Sequence, residues 1–365
     1  MKKIIKFTLM ISMVLLLAAC GGKEDDKEIQ EGQYTKYDGD FYETFDTQIL
    51  VSAYVQSQDE FDKYFNMTKE KFTYYHQLYD NFNNYEGVHN IKTINDQAGI
   101  APVEVDQEII DLLIYSIDEG KKYGGKVDIS MGPVLQVWHK YREEGLANPE
   151  EAKLPPMEEL EAAKALTGLD KIQINEEEKT VFLPEKGMAI NVGATAKGYA
   201  TEKVVDYLKS EGLESAIISA GGNVDTIGKP MDKDKWGIGL QNPYTIDDPN
   251  AERVFDVVFA TDMSVVTSGD YQRFYTVDGQ RYHHIIDPET LMPANEFRAV
   301  TVVTKSSALA DFLSTTLYLL PIEEGMALAE EAGVEVVWYE TDNDIVSTPG
   351  MDSLLKSKGA SPESE

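Results

Sequence analysis

The stretch AINVGATAKGYATEKVVDYLKSEGLESAIISAGGNV, residues 189–224, carries the elements of the fold in miniature. Ala189, Ile190 and Val192 read as a short strand over 189–192. The small residues Gly193 to Ala196 then give way to an apolar spacing near 3.6, which predicts a helix over 197–211. Ala216-Ile217-Ile218-Ser219 reads as a second strand, and Gly221-Gly222 as the turn that follows it.

The same mixture extends in both directions. Residues 48–55 are rich in β-branched and aromatic side chains and predict a strand, whereas Phe61, Tyr64, Phe65 and Phe72 repeat at helical spacing and predict a helix over 59–81. A second helix is expected over 106–123, stopped by Gly124-Gly125, followed by an insert over 143–167 with Pro149, Pro155, Pro156 and a short helix. Further strands are expected at 171–174, 180–183, 236–241, 254–260, 264–267 and 299–303, and helices at 306–320 and 322–332. Regular strand-helix alternation is missing, so a Rossmann fold is not expected. The pattern predicts an α+β protein with mixed, largely antiparallel sheets and packed helices.

The chain has 365 residues, of which 42% are hydrophobic and 27% charged, the balance of a globular protein with a full core. Its 33 Lys and Arg stand against 64 Asp and Glu, a formal net charge of −31, which argues against nucleic acid as a partner because a phosphate backbone needs a basic face. One cysteine excludes an intrachain disulfide framework and a Cys-rich zinc site. That cysteine follows Lys2, Lys3 and Lys6, an apolar run over 7–17 and Leu17-Ala18-Ala19. The run is shorter than the roughly 20 residues that span a bilayer. It reads as a signal peptide over 1–19 ending in a string similar to a bacterial lipobox, with Cys20 the lipidated first residue of the mature chain. The expected organisation is a flexible tether over 20–40, a folded body over 41–356 and a frayed tail over 357–365, held on the extracytoplasmic face of the membrane.

Several segments carry candidate chemistry. Asp128 and Ser130 alternate on a short extended segment, where they either hold the edge of a ligand or cap a helix. In Asn191-Val192-Gly193-Ala194-Thr195-Ala196-Lys197, small residues at a helix start and a lysine suit an anion, with an ordinary tight turn as the alternative; the spacing is not that of a Walker A loop. Gly221-Gly222, read alone, is a hairpin turn. The segments Thr267 to Arg273 and Tyr282 to Pro288 bring Asp270, His283, His284 and Asp287, of which a histidine is a candidate proton carrier. Asp311 and Thr315 lie four apart on one helix face, where the carboxylate either caps the helix or, with the hydroxyl and a nearby carbonyl, holds a hard cation such as Mg²⁺.

The segments VDISMGP, NVGATAKGYATEKV, ISAGGNV, TSGDYQRFY, HHIIDPETLMP and ALADFLSTTLYLL, in this order and spacing, resemble the ApbE family of FAD:protein FMN transferases. The resemblance covers nearly the whole body from about Phe45. It implies Mg²⁺-dependent transfer of the FMN moiety of FAD to a Ser or Thr hydroxyl of an acceptor protein, through a phosphoester bond and with release of AMP. It implies metal ligands at the Ala194 carbonyl, Asp311 and Thr315, and flavin contacts at Asp128, Ile129, Ser130 and Lys197, with Tyr85 and Asn191 as further matches and Gly221 and Gly222 against the nucleotide. His284 falls at the family's histidine before Ile-Ile-Asp-Pro, and His284, Asp287 and Asp270 are the candidates for the base.

Three positions depart from the family pattern. Asn191 stands where an aspartate is usual, Thr290-Leu291 where Thr-Gly is, and Phe45-Asp46-Thr47 where Met-Gly-Thr is. The first removes a charge near the ligand and is expected to alter affinity without abolishing binding. The competing functions are an FAD pyrophosphatase, with water as nucleophile and FMN and AMP as products, and a non-catalytic FAD-binding lipoprotein, which needs no metal. The expected acceptor is an extracytoplasmic or membrane protein, such as a flavin-carrying electron-transfer subunit.

Overall fold

The computed structural model describes residues 34–248 and 250–363. Its frame is an eight-stranded sheet in which every neighbouring pair is antiparallel. The strands Thr35–Thr44, Thr47–Val55, Ala216–Ala220, Asn223–Ile227, Ser264–Gly269, Phe297–Thr304, Glu335–Glu340 and Ile345–Ser347 lie side by side in chain order. The long excursions between them build everything else; the one over 270–296 leaves the sheet at the same end as the turns 45–46 and 221–222, and those over 56–215, 228–263 and 305–334 at the opposite end.

One face of the sheet is covered by the helices Gln58–Tyr79, Gln107–Lys122, Ala196–Ser210 and Ser307–Tyr318. The other face, over the central strands, is covered by the hairpin of Trp236–Gln241 and Val254–Ala260, where Ile238, Leu240 and Val258 pack with Val265, Val303, Met351 and Leu355. This double cover explains why Ala299, Val300, Val302 and Val303 form a continuous buried run rather than an alternating one. A satellite lobe packs Trp138, Val134 and Leu160 of the helices Gly132–Ala147 and Met157–Lys164 against Tyr275, Ile286 and Leu291.

The α+β class with antiparallel sheets is the observed one, and the helix over 322–332 is found as Ile322–Ala332, closed by Gly333 at φ 66°. Other expectations need correction. Residues 189–192 are not a strand: Ile190 N–H donates to the Asn95 side chain and Asn191 N–H to the Ile129 carbonyl, so the segment's backbone is engaged outside any sheet. The segment of Asp128 and Ser130 is not extended but a 3₁₀ turn, Ile129–Met131, that leads into the unforeseen helix Gly132–Ala147. The first strand begins at Thr35, so order starts before residue 41, and Pro362 accepts hydrogen bonds from Asp234 and Lys235, tying down much of the expected tail. The signal peptide and Cys20 lie outside the described residues.

Candidate active site

The site is built where two helices cross. Ala196–Ser210 starts without a side-chain cap of its own, because the Thr195 hydroxyl turns back to the Val192 carbonyl. The backbone amides of a helix's first turn have no partner within the helix. Asp311, on the helix Ser307–Tyr318, supplies one: its Oδ2 accepts from Gly198 N at 2.8 Å, and its Oδ1 faces Lys197 Nζ at 3.4 Å. The carboxylate is buried, and the helix dipole and the lysine both offset its charge. Approach this close requires glycine, since a Cβ on Gly198 would stand 2.3 Å from the Ser307 carbonyl oxygen and 2.4 Å from Asp311 Cβ.

Thr315 follows one turn after Asp311, with its hydroxyl 3.2 Å from Ser268 Oγ at the end of the strand Ser264–Gly269. Ala194, just before the other helix, packs against the same apolar cluster as Ala310, Phe312 and Leu313. The crossing thus brings Lys197 and Gly198 against Asp311, with Thr315 one turn further along one helix and Ala194 two residues before the other. The hairpin turn Gly221-Gly222 lies on the same sheet edge as Ser268, with Gly222 O accepting from Thr267 N at 3.1 Å. A Cβ on Gly221, at φ 55°, would meet Thr47 Oγ1 at 2.1 Å.

The expected flavin contacts at 128–130 and 191 are engaged within the protein. Asp128 Oδ1 accepts from Ser130 N at 2.7 Å and from Ser130 Oγ at 2.6 Å, the cap alternative, and Ser130 Oγ accepts from Gly168 N. Ile129 and Ser130 are buried. Burial raises the Asp128 pKa, opposed by its two bonds to Ser130. Asn191 Oδ1 accepts from Gly193 N at 2.9 Å and shapes the loop that carries Ala194. Tyr85 OH donates to Asp80 at 2.7 Å and lies 3.1 Å from His76 Nε2, while His76 Nδ1 accepts from Phe45 N. Tyr85 therefore braces the Phe45-Asp46 turn, whose two residues both have positive φ.

The three candidate bases differ sharply. Asp287 Oδ1 takes the Glu289 and Thr290 amides of its turn, and Oδ2 pairs with Lys126 at 3.2 Å. Asp270 is buried against Arg298, with Nε to Oδ2 at 2.9 Å; burial raises its pKa even though Arg298 and Arg281 oppose the rise. His284 has an exposed ring in the cleft, yet enough protein surrounds it that burial holds its pKa well below the usual histidine value, reinforced by Arg273, His283, Arg142 and Lys197. It stands neutral, able to accept a proton.

Of these groups only Arg142 lies outside the segments singled out in the sequence. Arg142 Nη2 lies 2.9 Å from His139 Nδ1, and Arg273 Nη2 donates to the Phe45 carbonyl at 3.5 Å. Arg273 sits within a segment already singled out, but Arg142 and His139 belong to a helix that was not foreseen, so only tertiary packing brings them here. In a chain of net charge −31, Arg273, Arg142 and Lys197 are near enough to His284 to lower its pKa.

A family model described as the ApbE family matches residues 45–338. An FAD:protein FMN transferase of Klebsiella pneumoniae is 32% identical over 70% of this chain and 76% of its own length, and one of Haemophilus influenzae is 26% identical over 95% and 96%. Among solved structures, an ApbE protein from Thermotoga maritima aligns with a TM-score of 0.75 at 27% identity, over 87% of this chain and 98% of its own. The flavin transferase ApbE from Vibrio cholerae aligns with a TM-score of 0.69 at 25% identity, over 87% and 96%.

Proposed function

The chain belongs to the ApbE family, and from that premise we propose that it is an FAD:protein FMN transferase, moving the FMN moiety of FAD to a Ser or Thr hydroxyl of an acceptor protein and releasing AMP. The observation that carries this reading is the Asp311 crossing, a buried carboxylate with a lysine, a hydroxyl and a small-residue loop on one cleft.

The donor set suits Mg²⁺. It offers one carboxylate at Asp311, one hydroxyl at Thr315 and one carbonyl at Ala194, all hard oxygens. One carboxylate, one hydroxyl and one carbonyl would leave the ion to complete its shell with water and substrate phosphate, as Mg²⁺ usually does. When bound, Mg²⁺ would neutralise charge developing on the phosphates.

The protein's own groups do the remainder. Lys197, with about a quarter of its side chain exposed, pairs with Asp311 and would offset the charge of the pyrophosphate, while Gly198 N–H keeps the carboxylate in place. His284, held neutral, takes the proton of the acceptor hydroxyl as that oxygen attacks the FMN-side phosphorus and AMP leaves. Asp270 and Asp287 are committed to Arg298 and Lys126, which favours His284 as the base. With water in place of the acceptor, the same groups would make an FAD pyrophosphatase. The proposal places the enzyme outside the cytoplasmic membrane, anchored through Cys20, with its acceptor there too.

The test follows FMN and AMP formation from FAD in metal-depleted and Mg²⁺-repleted enzyme. Wild type is expected to need Mg²⁺, and Asp311→Asn to lose turnover at an unchanged melting temperature. Full turnover by Asp311→Asn would remove the metal assignment.

A further inference from the structure

Asn223 is about 1% exposed, and its Nδ2 is buried without a hydrogen-bond partner. A buried donor left unpaired destabilises the fold, so its retention asks for an acceptor that arrives later. Register shows where that acceptor would be. Asn223 pairs with Ala220 on one side and Val266 on the other, and Val266 packs with Phe312, Leu313 and Leu317, so this side of the sheet faces the helices. Two residues along the strand, on the same side, Asp225 accepts from Ser307 Oγ at 2.7 Å and from Ser264. Two residues along the neighbouring strand from Val266, Ser268 meets Ser314 and Thr315. Asn223 therefore stands midway between the levels of Ser307 and Ser314 on the helix. That is the level of Asp311, at the foot of the Gly221-Gly222 turn.

We infer that Asn223 is a substrate-binding residue, whose side-chain amide donates to a phosphate oxygen of the bound dinucleotide. The inference rests on the function proposed above and deepens it. The sheet would then contribute a neutral donor opposite the helix-borne Lys197, so that the pyrophosphate is held from both layers. A neutral donor suits this position, because Asp311 at its own level and Asp225 two residues along the strand are already buried carboxyl groups on the helix-facing side of the sheet.

The test is FAD binding, read by flavin fluorescence, in the full soluble chain without residues 1–19. Asn223→Ala is expected to weaken FAD binding about tenfold or more, the usual consequence of losing a hydrogen bond to a charged group. Asn223→Asp is expected to weaken it further, because a carboxylate would face the phosphates. Without ligand, Asn223→Ala should melt at the wild-type temperature or above it, since the orphaned donor is gone; a structural role predicts the opposite. FAD affinity unchanged in Asn223→Ala, or as tight in Asn223→Asp as in wild type, would overturn the inference, and so would a loss of affinity that merely tracks a lowered melting temperature. A wild-type protein that binds no FAD would sink the proposed function itself, and this inference with it.

Discussion

At the residue scale the molecule separates groups that are fixed from groups that remain free to react. His283 is fixed: Ile285 N–H donates to its Nδ1, so Nε2 carries the proton and donates to the Ala294 carbonyl. Burial lowers its pKa to about 4. That lies below the value of about 6.5 for a free histidine, so the unfolded chain binds the proton first as pH falls. Its stabilising contribution is complete above pH about 6.5 and is lost as pH falls toward 4, in total about 3 kcal/mol. His283→Gln, which keeps a donor toward Ala294, should flatten that acid limb in thermal melts. An unchanged limb would show that another group governs it. His284, next in sequence, is free and neutral, so His284→Gln should lower turnover by about 10²–10⁴-fold with little change in melting temperature or FAD affinity.

Some of this was legible in the residue string and some was not. Asp311, Thr315, Lys197 and His284 stand out as candidates in the residue string because each sits in a local pattern, a helix spacing or a turn. Asp128 and Ser130 read as either a ligand contact or a cap, with flavin contact there and at Asn191 implied by the family resemblance, and in the structure the Asp128 and Asn191 side chains bond the backbone of their own turns, as short polar side chains do where the chain bends. The cap alternative for Asp128 is the one the turn adopts. Arg142 and Asn223 gave no local sign. A helix that begins at a Pro-containing turn brings the first to the cleft, and a strand hidden behind two glycines positions the second.

At the scale of elements the crossing of Ala196–Ser210 over Ser307–Tyr318 governs the site. It was foreseen as two helices but not as a crossing, because contact between segments a hundred residues apart has no periodicity to read. Gly198→Ala is expected to push the helices apart, costing about 1–3 kcal/mol as overpacking does. Because Asp311 would lose its hold on the helix start, activity should fall more than stability alone explains; melts and turnover measured together check this. The same helix is tied to the sheet by the fully buried Asp225, whose pKa burial raises to about 7. This is above the value of about 3.9 for a free aspartate, so stability from Asp225 is present at low pH and is lost as pH rises toward 7. Asp225→Asn should therefore gain stability relative to wild type as pH rises from 4 to 7, the opposite slope to that of His283, and a parallel pH profile would contradict the assignment.

At the scale of the whole molecule, a chain-ordered antiparallel sheet places the turns and strand ends of distant segments on one edge, while its excursions supply the helices that face them. Composition foretold an acidic globular body and local periodicity its α+β class. The strands Glu335–Glu340 and Ile345–Ser347 and the hairpin Phe274–Val277 with Gln280–His283 went unread, although Asp278-Gly279 and Asp342-Asn343-Asp344 mark their turns. Arg273, Arg142 and Lys197 near His284, on a body of net charge −31, would favour an anionic substrate there. FAD affinity should accordingly fall as salt rises, and titrations at several ionic strengths would expose a salt-independent site.

The central claim is transfer to a protein hydroxyl. The most direct test mixes the chain lacking residues 1–19 with FAD, Mg²⁺ and the flavin-free domain of an extracytoplasmic electron-transfer protein, then weighs the intact acceptor. A mass gain equal to FMN less water, absent without Mg²⁺ and with Asp311→Asn, is the predicted result. An unmodified acceptor beside free FMN and AMP would contradict it in favour of a pyrophosphatase, and intact bound FAD without products would contradict it in favour of a flavin-binding protein.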